Sequence, residues 1–447
     1  MRLGRILLIV VVLAVVVGLG VAGWFVTGSR PLSFAGGQTV TLADYKGPSP
    51  TGVPADFAST DPIARGQYLA RAADCQACHT AKGGVPFAGG LAFNLPFGSI
   101  YSPNITPDNE TGIGGWSDAQ FLAALRKGIG PKAHLYPAMP YAAYTYMTDA
   151  DALAIRAYLA SLPAVHKQRP PSTFSFPFNQ RWLMSIWGRM FNPDQRFQPR
   201  PDRSPQWNRG AYLAEAMAHC GDCHTPRSLA QALDNRQKYA GAVAAGWKAY
   251  NITGHRLSGV GAWTDAELGQ YLSTGHAAGR GVASGPMGEA VDLSLSHLTP
   301  SDISALVTYI RTVPAIASAD QPAPVQRLAP ATHKLGVTVA GDLKGKRIFE
   351  GACVSCHSWT GQGSLTPWAT LTGVRAVNDP TATNVAQMVI TGSNRRTAGG
   401  MSYMPAFGHA YTDDEVAAVA NYVTARFGAQ PSRVTAKQVA ELRKAAS

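Results

Sequence analysis

Apolar positions along this chain fall into three kinds of pattern. The first is an unbroken run from Ile6 to Val26, free of charged residues and preceded by Arg2 and Arg5. As a helix its 21 residues rise roughly 31 Å, enough to cross the hydrocarbon core of a bilayer. A cleaved signal peptide is the rival reading, but its apolar region is usually about 7–15 residues long and ends in a small-residue site. Trp24-Phe25-Val26-Thr27 offers no such site. The run therefore predicts a retained transmembrane helix, with residues 1–30 as membrane anchor and the rest of the chain on the side away from the arginines.

The second pattern is helical and recurs. Thr111 to Gly128 reads TGIGGWSDAQFLAALRKG, and Ser258 to Gly275 reads SGVGAWTDAELGQYLSTG. Asn104-Ile105-Thr106 and Asn251-Ile252-Thr253 precede them at one common spacing, 147 residues between copies. A third, divergent copy keeps Thr383 to Gly392 and a Thr412-Asp413 start. Each copy follows one order: a helix-like stretch (Ala64 to Ala73, Asn208 to Ala218, Lys344 to Ala352), a cysteine motif, a long loop, a short helix, a methionine loop and a closing helix. The closing helices, Thr148 to Leu162, Thr299 to Val313 and Thr412 to Phe427, begin at hydroxyl residues able to cap and carry Tyr158, Tyr309 and Tyr422 on the apolar face. This predicts an all-α fold with three tandem domains over 60–165, 201–314 and 337–430 behind the anchor. Residues 31–60 read as irregular chain, Ala315 to Thr332 as a plain linker, and 431–447 as a polar tail with a helix from Thr435.

The third pattern sits in the connector 166–200. Phe174 to Phe197 reads FSFPFNQRWLMSIWGRMFNPDQRF, with Trp182, Leu183, Ile186, Trp187, Met190 and Phe191 at helical spacings among Arg181, Arg189 and Arg196. A basic aromatic helix of this kind suits a membrane interface or a partner, and packing between two repeats fits it as well.

The six cysteines carry the chemistry. All fall in one motif repeated three times: Cys75-Gln76-Ala77-Cys78-His79, Cys220-Gly221-Asp222-Cys223-His224 and Cys353-Val354-Ser355-Cys356-His357. C-x-x-C-H attaches haem c: two thiols three positions apart each add to one vinyl group, and the next imidazole becomes the proximal iron ligand. Three isolated motifs do not pair into zinc sites, and no βαβ pattern surrounds them for dithiol chemistry. The chain is thus expected to hold three covalent haem c groups, through Cys75, Cys78, Cys220, Cys223, Cys353 and Cys356, with His79, His224 and His357 on the irons.

Sixth ligands are sought at equivalent repeat positions. Met139 in Pro137-Ala138-Met139-Pro140-Tyr141, Met287 in Gly285-Pro286-Met287-Gly288 and Met404 in Tyr403-Met404-Pro405 each precede a closing helix. Met147, Met217, Met388 and Met401 read as packing residues. His/Met ligation raises the potential and fills the iron, which points to electron transfer without bond chemistry. No catalytic triad, P-loop or dinucleotide glycine motif accompanies the haem motifs. Trp116 and Trp263 are read as haem-pocket packing, while Asn104 and Asn251 suit either a turn cap or a propionate contact.

Charge changes the picture little. The formal net charge is +12, but Lys and Arg are scattered without a block of five, so nucleic acid is not an expected partner. Six haem propionates would offset about half of the excess, counting two per haem.

DCQACHT at the first motif, HCGDCHTPR at the second, the NIT and GIGGW elements and YPAMPY together resemble the triheme cytochrome c subunits of membrane-bound dehydrogenases of acetic acid bacteria and related proteobacteria, over about residues 60–430. The resemblance implies a large dehydrogenase subunit as partner and ubiquinone as acceptor, on the periplasmic side of the inner membrane. Such subunits serve quinoprotein alcohol, flavin-dependent gluconate or sorbitol, and molybdenum-dependent aldehyde dehydrogenases. The retained anchor favours the aldehyde-oxidising complexes, which bring an iron–sulfur small subunit. The alternatives are a cytochrome component of a respiratory oxidase, a stand-alone anchored shuttle and a peroxidase-like enzyme with an open iron.

Overall fold

The computed structural model describes residues 30–95, 97–318, 343–397 and 400–446, with positions 9–13, 15–18, 20 and 23 ahead of them. Each repeat is built on two helices that cross. In the first, Pro62–Ala72 packs against Asp149–Ala160; in the second, Pro205–Tyr212 against Pro300–Ile310; in the third, Leu343–Ile348 against Asp413–Phe427. Thr148, Thr299 and Thr412 cap the closing helices, each side chain accepting from the backbone N–H three residues on. The crossing depends on one glycine per repeat. A Cβ at Gly66, Gly210 or Gly345 would run into the carbonyl of Ala154, Ala305 or Ala418 and against the Cβ of Tyr158, Tyr309 or Tyr422. The repeated tyrosines are therefore half of a helix contact whose other half is a missing side chain.

The all-α expectation is corrected. Helix accounts for only 42% of the described residues, and among them four small antiparallel hairpins join the helices: Ala92–Leu95 with Gly98–Tyr101, Ala242–Ala244 with Trp247–Ala249, His276–Ala277 with Gly281–Val282, and Ser393–Thr397 with Gly400–Met404. The second closes through Ala245 and Gly246, both at positive φ (49 and 76), as a tight two-residue hairpin requires. Strands this short leave no alternating pattern, and turn geometry specifies them instead. The membrane-spanning helix over 6–26 is also unsupported. Among the described residues no helix is long and apolar enough to cross a membrane, and positions 6–8, 14, 19, 21–22 and 24–26 lie outside them. Linker residues 319–332 lie outside them as well.

Residues 30–57 are irregular but held fast. Arg200 donates to the carbonyls of Leu32 and Gly37, Arg203 to that of Ala35, and Arg209 to those of Pro50 and Gly52. One continuous hydrophobic cluster runs through the first two repeats, and the third has its own. Across the first junction the repeats exchange equivalent bonds. Tyr68, on the first helix of repeat one, donates to Asp302 on the closing helix of repeat two at 2.6 Å. Tyr212, on the first helix of repeat two, donates to Asp151 on the closing helix of repeat one at 2.5 Å. Arg209 forks onto Asp302 with two bonds of 2.7 Å. The third repeat docks on the second: Lys248 pairs with Asp379 at 3.3 Å, Asn384 exchanges two bonds with the Lys248 backbone, and Arg395 reaches Asp292. The tail is a helix, Ala436–Ala446, with Val439 fully buried and Arg443 bonded to Asp413.

Candidate haem centres

Each cysteine motif folds as a single helical turn: Cys75–Cys78, Gly221–His224 and Val354–His357. Residues three apart on such a turn share a side, which sets both thiols of a pair toward the same space. In the first two motifs the histidine N–H returns to the first cysteine carbonyl, His79 to Cys75 at 3.1 Å and His224 to Cys220 at 3.0 Å. All six thiols are free of disulfides and half-buried. Burial pushes Cys75, Cys78 and Cys220 up to about 12, and Cys223 and Cys353 up to about 11, so they are neutral thiols.

The histidines are alike in all three repeats. Nδ1 meets a backbone carbonyl: Pro103 at 2.8 Å for His79, Tyr250 at 2.7 Å for His224 and Ala369 at 2.5 Å for His357. Burial pulls each ring's pKa down, so the ring is neutral. A carbonyl only accepts, so Nδ1 carries the proton and Nε2 keeps its lone pair. A neutral imidazole with its orientation fixed from behind is what an iron ligand needs. Two free thiols and, next in sequence, an imidazole with its Nε2 lone pair available make a donor set that fits covalent haem c.

The NIT elements explain how the carbonyls are placed. Asn104 follows Pro103; its amide donates to the Val165 carbonyl at 2.7 Å and its oxygen accepts from Thr106 N–H at 2.9 Å. Asn251 follows Tyr250 and repeats this with Ile316 at 2.6 Å and Thr253 at 2.8 Å. These asparagines brace a turn behind the histidine. Gly89 and Gly241, both at positive φ, let the loop after each motif return its N–H to the His79 and His224 carbonyls at 2.8 Å. A Cβ at Gly89 would strike Pro103. The sequence signal for these glycines was present but has no local period.

The methionines occupy three kinds of structure. Met139 lies in a turn just before Tyr141–Tyr144, Met287 is the third residue of the helix Gly285–Leu293, and Met404 ends the strand Gly400–Met404. All three are half-buried and share a hydrophobic cluster with a cysteine of their own repeat: Cys75, Cys220 and Cys353 respectively. Of the other methionines, Met147 and Met217 are fully buried core residues, Met388 is half-buried in Thr383–Thr391, and Met401 is 51% exposed. Trp116 and Trp263 pack half-buried against the shared core. Their carbonyls take Arg156 and Arg311 from the closing helices.

One tyrosine touches the residues that lead into both of the first two motifs. Tyr144 donates to the Ala73 carbonyl at 2.6 Å beside the first motif, and its ring lies 5.5 Å from that of His219 beside the second. The connector helix Leu183–Phe191 is two-sided. Trp187 turns inward to the Ala230 carbonyl at 2.8 Å and to the Tyr141 ring, and Phe191 packs on Trp187. Phe176, Trp182 and Ile186 stay exposed, at 78%, 59% and 46%.

The cytochrome c family model matches residues 63–163 and 343–426. The chain is 37% identical over 440 residues to the fructose dehydrogenase cytochrome subunit of Gluconobacter japonicus, covering 93% of this chain and 90% of that protein. It is 38% identical to the gluconate 2-dehydrogenase cytochrome c subunit of Pantoea cypripedii, over 87% of this chain and 91% of the other. It is 33% identical to the cytochrome c subunit of the alcohol dehydrogenase (quinone) of Gluconobacter oxydans strain 621H, over 85% and 82%.

Proposed function

Since the chain belongs to the family of cytochrome c subunits of dehydrogenase complexes, we propose that it is a triheme electron-transfer subunit passing electrons from a partner dehydrogenase to ubiquinone. Covalent haem c and a dehydrogenase partner come with the family; the count of three, the acceptor and the residue roles are the proposal. One observation carries it: in three separate repeats the histidine that follows a free thiol pair in sequence gives Nδ1–H to a backbone carbonyl, which leaves Nε2 with its lone pair. When bound, each haem supplies a one-electron iron couple. The chain's residues do the rest. Cys75, Cys78, Cys220, Cys223, Cys353 and Cys356 hold the groups. His79, His224 and His357 are ligands from one side, and Met139, Met287 and Met404 from the other, which raises the potentials and closes the irons to small molecules.

An aldehyde-oxidising partner with an iron–sulfur subunit was favoured by a retained membrane helix, which finds no support. The names of the three relatives given above point instead to a partner that oxidises the hydroxyl of a sugar, sugar acid or alcohol, and one of those names includes a quinone. The proposed location is the periplasmic face of the inner membrane, where covalent haem attachment and a lipid-dissolved acceptor meet. Phe176, Trp182 and Ile186 are proposed to contact that membrane. The test is the mass of the denatured chain, which should exceed the polypeptide by three haem groups. Acidified organic extraction that frees most of the haem would refute covalent attachment, and a gain of two groups would refute the count. A shuttle without a fixed partner is the second reading; co-elution with a large dehydrogenase subunit separates the two.

A further inference from the structure

Met287 sits in a short helix, Gly285–Leu293, that packs through the fully buried Val291 on the core of the first two repeats. Its N-cap residue, Ser284, makes no side-chain cap bond. A polar clamp on its two flanks comes from the third repeat. Arg395, only 8% exposed, forks onto Asp292 with bonds of 2.9 and 2.8 Å and donates a third to the Ala283 carbonyl at 2.5 Å. Ala283 precedes Met287 and Asp292 follows it in sequence, so one guanidinium brackets the methionine from both ends. The planar fork suits this role, because it fixes direction as well as distance.

The repeats supply a comparison. In the first, Gly128 (φ +65) closes the short helix, and a Cβ there would lie 2.6 Å from the ring of Tyr141, which belongs to the Met139 segment itself. In the second, the equivalent Gly275 (φ +77) would place a Cβ 2.6 Å from the Arg395 guanidinium, and one at Gly288 would lie 3.0 Å from the same side chain. The Met287 segment, Gly285-Pro286-Met287-Gly288, has no aromatic residue. A space filled in cis by Tyr141 in repeat one is filled in trans by Arg395 in repeat two. Arg395 itself lies on Ser393–Thr397, the strand paired with the one that ends at Met404; Ser393 is the partner of Met404.

We propose that Arg395 is a positioning residue for Met287, so that the second haem centre is completed by the third repeat. This rests on the reading of Met287 as an iron ligand. The third repeat then contributes twice: with its own centre and with the clamp on its neighbour's.

The experiment uses the full chain carrying its haems and compares Met287→Ala, Arg395→Leu, Arg395→Lys and Asp292→Asn with the parent. The readouts are a redox titration that resolves the individual haems, the far-red methionine-to-iron charge-transfer band, and carbon monoxide binding to the reduced protein. Met287→Ala should remove about one third of the band, one of three His/Met centres, and open one haem to carbon monoxide. Arg395→Leu should weaken the band and move that same haem's oxidised-to-reduced ratio by about tenfold, equivalent to about 59 mV for one electron. Asp292→Asn breaks the clamp from within the second repeat and should move the same haem in the same direction. Arg395→Lys should restore part of the shift, because it keeps the charge but loses the fork. The first centre should be unchanged throughout. If Met287→Ala changes neither band nor potential, the ligand reading falls and the clamp with it. If Met287→Ala opens a centre while Arg395→Leu and Asp292→Asn leave that centre as in the parent, the clamp is overturned and the ligand reading stands.

Discussion

Replacing Asp302 by Asn should cost more stability than any single tyrosine change at the junction of the first two repeats. Asp302 is fully buried and accepts from Tyr68 and twice from Arg209, whose side chain is itself nearly buried. Asn keeps the shape but removes the carboxylate bonded to Arg209, leaving the guanidinium on the neutral carbonyls of Pro50 and Gly52. Breaking a buried pair from one side costs about 3–5 kcal/mol. Tyr68→Phe removes the bond to the charged acceptor and the longer one that Tyr68 accepts from Thr299 N–H, while Arg209 still neutralises Asp302, a loss of about 1.5–3 kcal/mol set mainly by the first. Tyr212→Phe should fall in the same range, since Asp151 keeps its bond from Gly52 N–H at 2.9 Å. Gly52 serves both halves, giving its N–H to Asp151 and its carbonyl to Arg209. Tyr68→Phe/Tyr212→Phe should therefore depart from additivity by about 0.5 kcal/mol or more. Urea denaturation of the four variants, followed by circular dichroism, gives the order of midpoints. A Tyr68→Phe midpoint at or below that of Asp302→Asn would refute the assignment of the charge pair as the dominant contact.

Gly210→Ala should destabilise the chain by about 1–3 kcal/mol or more, because the added methyl meets the Ala305 carbonyl. Gly188→Ala, with nothing within 4 Å of the new methyl, should stabilise its helix by up to about 1 kcal/mol, and thermal melts of the pair would show the opposite signs. Changing Phe176, Trp182 and Ile186 to Ser should lower sedimentation with vesicles and slow quinone reduction while leaving ferricyanide reduction intact; equal loss of both activities would mean that the helix is a packing element only.

Much of the site was legible because it is local. C-x-x-C-H needs one turn of helix, and the Thr148, Thr299 and Thr412 caps act within three residues. The repeat made the NIT asparagines visible but left their role open, since a turn brace and a propionate contact call for the same residue. The hairpins were missed because two to five residues do not establish a period. Arg395 could not be found at all: its partners lie more than 100 residues away in sequence, and an arginine in a polar strand looks like any surface cation. Trp187 and Phe191 were grouped with Trp182 because helical spacing gives the stripe and not which side of it meets Tyr141.

The shared core of the first two repeats fixes where this molecule can be regulated. The two proposed haem centres of these repeats, joined by one continuous hydrophobic interior, reciprocal Tyr–Asp bonds and the segment 30–57 bonded to both, are held at one separation by the folded core. Tunnelling between them is then a constant of the architecture, indifferent to partner or load. The third repeat has its own interior and meets the second through the Lys248–Asp379 and Arg395–Asp292 pairs and the stack of Trp368 on His276. A partner that altered electron flux by a small rotation would have to act at that seam, and mutations that tune throughput without harming folding are expected along it.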